Sequence, residues 1–290
     1  MAGLPITSND GHFFSYIHNI KNLQTFRAMK IQHGFLICIL LFNVVTDKPA
    51  WAEVDSQTSL RVVCYNIRHG RGMDNVVDLT RTANAIKALN PDLVAIQEVD
   101  LNTQRTNADQ PKILGEKLGM HYAFGKAIGY QGGEYGLLVL SRFPILEHQM
   151  IILPQEGNQE QRGLQIAKIG IPDAKGKIIR FANTHLGGSQ SAIETQSDRV
   201  NALLSDGDEP VILAGDFNAR PESTAIQTLL KHWTDATDKT PTAPSNNPQK
   251  KIDYIFYKPP SRLKVKETKI VQDSITSDHL PVLVIFEILP

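Results

Sequence analysis

Apolar residues in this chain fall into short unbroken runs divided by polar, glycine- and proline-bearing turns. Such runs predict strands buried on both faces of a sheet. Leu60-Arg61-Val62-Val63-Cys64-Tyr65-Asn66-Ile67 is β-branched and apolar, and it carries Asn66 near its end. Asp78 reads as the cap of a helix running to Leu89, with Leu79, Ala83, Ile86 and Leu89 spaced for one buried face, and Asn90-Pro91 stops it. Asp92-Leu93-Val94-Ala95-Ile96-Gln97-Glu98 is a second buried strand, ending on a carboxylate. The β-α-β order makes these two strands neighbours and delivers Asn66 and Glu98 to the same edge.

The later chain repeats the theme. A helix is predicted over Gln110 to Leu118, and an apolar strand over Gly136 to Ser141, introduced by Gly132-Gly133-Glu134-Tyr135. Shorter strands are expected near Ile145–Leu153, Gly163–Ile169 and Lys177–Asn183, the last leading into Thr184-His185. Ile193, Gln196, Val200, Leu203 and Leu204 have the spacing of an amphipathic helix. Val211-Ile212-Leu213-Ala214 is another buried strand, and it delivers Asp216 and Asn218 just before the turn residues Arg220-Pro221-Glu222-Ser223. A helix near Ser223–Lys231 and strands at Ile252–Tyr257, Leu263–Val271 and Val282–Ile288 complete the pattern. Two sheets with helices outside, an α/β arrangement, account for the mixture of α-β and β-β connections.

Composition narrows the picture. With 290 residues, 41% of them hydrophobic, the chain is long enough for one large core or two small ones. No internal repeat is visible. Thr240 to Lys251, with three prolines and Asn246-Asn247, reads as a surface insertion. The first fifty residues differ from the rest. Lys30 precedes the apolar run Phe35 to Phe42, and the segment ends in Ala50-Trp51-Ala52, which together form the pattern of a secretory signal peptide. The run falls short of the roughly 20 apolar residues that a membrane-spanning helix needs. Residues 1–52 are therefore expected to be a leader, with Met29 as a natural start and cleavage after Ala52, for a periplasmic or secreted product without a transmembrane segment.

Removing that leader takes away Lys21, Arg27, Lys30 and Lys48 against Asp10 and Asp47, leaving 26 basic and 28 acidic residues. A remainder this close to neutral lacks the bulk charge of a strong duplex binder, although a local basic groove stays open. Cys64 is left as the sole cysteine, so stability rests on the core and not on a disulfide within the chain.

The polar residues at the ends of the apolar strands are Asn66, Glu98, His185, Asp216 with Asn218, Asp253, and Asp278 with His279. Taken singly, each also fits a turn cap, a solvated charge or a core histidine. Together they form a set of carboxylates and amide oxygens that favours a hard cation such as Mg²⁺ or Mn²⁺ over structural zinc. Two histidines and several acids suit phosphoester hydrolysis, which needs an activated water and charge neutralisation at phosphorus. No G-x-S-x-G elbow, Walker loop or H-E-x-x-H is present, which removes the serine hydrolase, P-loop and zincin readings.

Tyr65-Asn66-Ile67, Gln97-Glu98-Val99, Asn183-Thr184-His185, Gly215-Asp216-Phe217-Asn218, Ile252-Asp253-Tyr254 and Ser277-Asp278-His279 resemble, in order, the motifs of the endonuclease/exonuclease/phosphatase superfamily. The resemblance implies a domain over residues 59–290, folded as a four-layered α/β/β/α sandwich of two mixed sheets flanked by helices. It further implies Glu98 as the principal Mg²⁺ ligand, with Asn66 and Asp278 beside it. Asp216 and Asn218 resemble the pair that orients the attacking water and holds the phosphate. His279 resembles the histidine at the scissile phosphate, with Asp253 as its carboxylate partner. His185 resembles the second histidine of the deoxyribonuclease and sphingomyelinase branches, which serves the leaving oxygen, and Glu134 is the candidate to orient it. Arg105 and Arg162 are further candidates to meet the phosphate, against the plainer reading of surface charges.

The implied activity is a metal-dependent phosphodiesterase acting on nucleic acid, phospholipid head groups or inositol phosphates, with no stable protein partner. A non-catalytic binding module that keeps the fold is the alternative, and its mark would be the loss of a key polar residue. Near-neutral charge argues against a duplex nuclease. The lack of an exposed aromatic hairpin argues against a lipid enzyme.

Overall fold

The computed structural model describes residues 59–172 and 177–289; the expected leader lies outside them. Strands β1 (Ser59–Asn66) and β2 (Leu93–Leu101) run parallel, joined by helix α1 (Leu79–Lys87). Helix α2 (Gln110–Leu118) and the hairpin of β3 (His121–Tyr130) and β4 (Gly133–Ser141) follow. Strands β5 (Ile145–Ile152), β6 (Gly163–Ile171) and β7 (Lys177–His185) open a second sheet. Helix α3 (Gln190–Leu203) crosses to β8 (Val211–Asp216), again parallel to its partner β7. Helix α4 (Thr224–Leu229), the two-residue strand β9 (Thr234–Asp235) and β10 (Asp253–Lys258) complete that sheet. The last strands, β11 (Leu263–Ile270) and β12 (Val282–Ile288), return to the first one. The strand orders are β11-β12-β1-β2-β4-β3 and β5-β6-β7-β8-β10-β9, each with a single parallel pair at its centre.

Alternation along the strands explains why the buried runs are apolar throughout. Val62 and Cys64 of β1 join Ile212 and Ala214 of β8 in a core between the sheets. Val63 and Tyr65 face the other way, toward Ala83 and Ile86 of α1 and Leu114 of α2. Val211 and Leu213 pack against Ile193 and Val200 of α3 and Ile226 of α4. Three apolar layers thus separate four structural ones, giving the α/β/β/α sandwich. The helices begin where their capping side chains dictate: Asp78 accepts hydrogen bonds from Thr80 N and Arg81 N, and Ser189 accepts from Ala192 N.

Polar groups interrupt the inner core at one end. Gln97 of β2 donates to Asn183 Oδ1 of β7 at 2.7 Å. The Asn183 amide in turn donates to the Ile96 and Leu138 carbonyls of the first sheet, at 2.9 and 3.1 Å. All of these side chains are fully buried. The sheets are therefore joined by directional bonds beneath the edge where both parallel pairs end.

Three sequence expectations change. Strand β3 was not predicted; it is an edge strand with little buried surface, so its apolar signal is weak. Gly133-Glu134-Tyr135 belong to β4 itself, and the turn is Gln131-Gly132, both with positive φ, the geometry of a two-residue hairpin loop. Within Thr240–Lys251, supposed to be a surface insertion, Thr242, Ala243 and Ser245 are buried, and Thr242 donates to Asp253.

Replacing Asn183 with alanine removes the acceptor of the Gln97 amide and the amide donor to two buried carbonyls, leaving Gln97 only its weak contacts with Cys64 Sγ. A loss of about 2–4 kcal/mol is expected, read from the urea denaturation midpoint of the variant against the parent.

Candidate active site

The site arises from strand register. In the second sheet His185 lies opposite Asp216, and Asp216 opposite Asp253, so three adjacent strands present a polar side chain at one level. In the first sheet Asn66 lies opposite Gln97. Strict alternation would send Glu98 toward the helices, since Val94 and Ile96 already face them. A bulge against β4 between Ile96 and Val99 intervenes, and Glu98 adopts φ +59. That left-handed backbone costs a non-glycine residue about 1–3 kcal/mol. It turns the carboxylate to the rim.

Asn66 joins the two halves. Its Nδ2 donates to Glu98 Oε1 and to Asp216 Oδ2, both at 3.0 Å, and its Oδ1 accepts from Arg68 N at 3.0 Å. Asp216 also accepts from the backbone N–H of Asn218, at 2.9 Å. Ser277 donates to the Asn66 carbonyl at 2.7 Å, which draws Asp278 and His279 to the same rim. His279 Nδ1 sits 2.9 Å from Asp253 Oδ2, and its Nε2 sits 3.7 Å from Asp216 Oδ2. Seven sequence-predicted residues (Asn66, Glu98, His185, Asp216, Asn218, Asp253 and His279) are thus linked by direct contacts, with Asp278 beside His279.

Charge divides the rim into two halves. Burial works against a charged His279, but Asp253 and Asp216 raise it to about 10. Asp216 is itself raised to about 7 by burial, with His279 opposing and Asp253 reinforcing. Glu98 is pushed up by burial and then by the nearby Asp278 charge. His185 is held well below the ordinary value by burial, then by Arg162 and His279. Arg162 Nη1 lies 3.3 Å from His185 Nδ1, and the Asn218 amide nitrogen lies 3.1 Å from His185 Nε2. Burial and the Arg162 charge beside Nδ1 keep the ring neutral.

Two groups of ligand atoms could hold a cation. Asp216, Asp253 and His279 place theirs within 4.8 Å of one another. Protonated His279 already supplies a positive charge there, and an imidazolium has no lone pair to give. Glu98 and Asp278 repel each other, with Arg68 Nε no closer than 3.6 Å to Asp278. Glu98, Asp278 and the remaining lone pair of Asn66 Oδ1 offer oxygen donors alone, the chemistry a hard divalent ion takes, with Arg68 the cation beside them.

Of the remaining candidates Arg162 reaches the site, and Glu134 and Arg105 are paired with other residues. Glu134 pairs with Lys126 at 2.8 Å and does not orient His185; Arg162 stands at the His185 Nδ1 position instead. Arg105 forms a two-pronged pair with buried Asp100, both contacts 2.7 Å, and stacks over Tyr130 and Tyr135. Sequence reading missed Arg68, Thr242 and the Gln97–Asn183 pair. Gln97 and Asn183 lay inside quoted motifs, and a polar residue within an otherwise apolar strand was their signal.

A model of the Endonuclease/Exonuclease/phosphatase family matches residues 63–279, and the chain belongs to that family. Its members are metal-dependent hydrolytic phosphoesterases. The uncharacterized protein YbhP of Escherichia coli K12 is 30% identical over 175 residues, covering 56% of this chain and 68% of YbhP. An endonuclease/exonuclease/phosphatase from Beutenbergia cavernae superposes with a TM-score of 0.68 at 24% identity, over 80% of this chain and 72% of that one. The mannosyl-6-phosphatase Bt3783 of Bacteroides thetaiotaomicron gives 0.65 at 22% identity, over 78% and 99%. The two structural likenesses establish the sandwich fold.

Glu98→Gln removes a desolvated charge that Asp278 repels. In chelator the variant is expected to melt a few degrees above the parent, and added Mg²⁺ should raise the melting temperature of the parent only. Equal responses to Mg²⁺ would dismiss Glu98 as a ligand.

Proposed function

We propose that the protein is a Mg²⁺-dependent phosphodiesterase, exported through the leader at residues 1–52 to the periplasm or the medium. What carries this reading is the single hydrogen-bonded rim in which Glu98 and Asp216 share the Asn66 amide, each 3.0 Å from its nitrogen. Glu98, Asp278 and the Asn66 oxygen would hold the metal. A bound Mg²⁺ supplies charge neutralisation at a phosphoryl oxygen.

Asp216, buried and reached by no basic side chain but the two histidines among the described residues, orients the attacking water and accepts its proton. The backbone N–H of Asn218 fixes the other carboxylate oxygen. His279, kept protonated by Asp253 and Asp216, donates from Nε2 to the phosphoryl group as negative charge gathers. Attack in line forms the new P–O bond as the bond to the leaving oxygen breaks, and the departing alkoxide takes up a proton from solvent water. His185, neutral between Arg162 and Asn218, acts as a hydrogen-bonding partner of the substrate and not as a charged acid.

A diester is favoured over a monoester on charge. A dianionic monoester calls for free cations, whereas the two arginines nearest the rim already face carboxylates, Arg68 at Asp278 and Arg162 at Glu160. By its name Bt3783 is a monoesterase, so the two preferences are open to direct comparison.

The test is hydrolysis of bis-p-nitrophenyl phosphate beside p-nitrophenyl phosphate, with Mg²⁺ and with chelator. The parent is expected to prefer the diester and to lose activity in chelator. Glu98→Ala and His279→Ala should each lower kcat/KM by more than about a hundredfold, because a charge-stabilising group is commonly worth several kcal/mol. Loss under tenfold in either variant rejects its role, and a parent that neither hydrolyses nor binds Mg²⁺ is a binding module.

A further inference from the structure

Strand β4 brings one more polar side chain to the rim, and none of the steps proposed above uses it. Val139 lies in the core between the sheets, whereas Leu138 and Leu140 face the helices. With a period of two, Leu137 and Tyr135 share the inward face of Val139, and Glu134 takes the opposite one. The contacts agree. Glu134 reaches Lys126 at 2.8 Å, while Tyr135 and Leu137 line a cleft together with Arg162, Gly163 and His185. The side of the strand that looks toward His185 is therefore held by the residue after Glu134.

Tyr135 is only 7% exposed, yet its hydroxyl has no hydrogen-bond partner among the described residues. Tyr254 is the ordinary case, its hydroxyl lying 3.0 and 3.2 Å from the Ala219 and Lys251 carbonyl oxygens. A buried phenol normally finds such a partner, because its desolvation is otherwise uncompensated. The Tyr135 ring is firmly held: Arg105 Cζ stacks 5.4 Å from its centroid, and the Tyr130 ring lies 6.2 Å away. The cleft it lines has a volume of about 10 Å³, close to what one oxygen-sized guest occupies, and Arg162 and His185 are its other polar walls. Burial, then the charges of Glu98 and Glu160, push the phenol up, so it is a hydrogen-bond donor and not a source of protons.

Strand order decides where this donor meets a substrate. In the first sheet β1, β2 and β4 are neighbours, and they present Asn66, Glu98 and Tyr135 in that sequence. Asp216 stands at the Asn66 end, 3.0 Å from its amide nitrogen. Where Asp216 positions the attacking water, in-line displacement breaks the ester bond on the far side of phosphorus. That side is the end of the rim where Glu98 and Tyr135 stand.

We infer that the Tyr135 hydroxyl donates a hydrogen bond to the leaving oxygen of the ester, within the cleft it shares with Arg162 and His185. This deepens the phosphodiesterase reading and rests on it for the role in turnover, but not for the contact with a phosphate oxygen. The phenol keeps its proton. The P–O bond cleaves with its electron pair passing to the leaving oxygen, and solvent water supplies the proton that oxygen takes up. Tyr135 stabilises charge that gathers there only as the bond breaks, so its contribution falls on kcat more than on KM.

Tyr135→Phe removes the hydroxyl and keeps the ring under Arg105, so the melting temperature should stay within about 2 °C of the parent. A leaving oxygen that cannot spread its charge needs the donor most. With Mg²⁺ the variant is expected to lose about thirtyfold in kcat on diphenyl phosphate and about threefold on bis-p-nitrophenyl phosphate, whose nitro group takes up the charge. Equal losses on the two esters, or no loss, overturn the inference, because a tyrosine that only packs does not sense the leaving group. Calorimetric titration with inorganic phosphate and Mg²⁺ reads the contact without turnover, and the variant is expected to bind about fivefold more weakly. Equal affinities, or a parent that binds no phosphate, also overturn it. A parent that hydrolyses neither ester strikes the phosphodiesterase reading, and the phosphate titration then decides the Tyr135 contact by itself.

Discussion

One amide holds the two halves of the rim in a single geometry. Asn66 belongs to the first sheet and Asp216 to the second, and the 3.0 Å bond between them closes the gap at the edge where both parallel pairs end. Beneath it, Gln97 and Asn183 fasten the sheets again. Apolar packing alone would let two sheets slide by a fraction of a residue at little cost, because the hydrophobic effect has no direction. Buried amides have direction, and leaving one unpaired is expensive. The carboxylates therefore stand at a fixed separation before any ligand arrives.

The rim is also where the backbone is least comfortable. Arg68, His69, Glu98 and Asn218 are four of the non-glycine residues with positive φ, and all border the site. His69 is buried with one ring nitrogen unpaired and is lowered to about 4, by burial first and then by Arg105. Strain, desolvation and like-charge repulsion between Glu98 and Asp278 accumulate together. They are sustained because the three apolar layers around them are closely packed, so the protein trades some stability for a rim that is poised toward cations.

Much of this was legible in the residues. Unbroken apolar runs such as Val211 to Ala214 marked the central strands, and the polar residue at the end of each marked the rim. The edge strand β3 was not legible: it buries little, and its sequence carries Gly125 and Gly129 where a central strand would show branched residues. Neither was the bulge at Glu98, since an extra residue in a strand leaves no mark in hydrophobic period until the partner strand is known. The expected Glu134–His185 contact failed for a related reason. Glu134 is the second residue of β4 and its side chain meets that of Lys126 on β3, and only the folded arrangement shows that Arg162 is the residue reaching His185.

The pairing of β1 with β12 carries one more consequence. The domain's first strand waits for its last, so the middle of the first sheet cannot zip up while the chain is still being synthesised. Asp278 and His279, which lie just before β12, arrive at the same late moment. Until β12 is in place the rim lacks Asp278 and His279, and one side of β1 has no partner strand. Deleting β12 would open the interior of a sheet and not its margin.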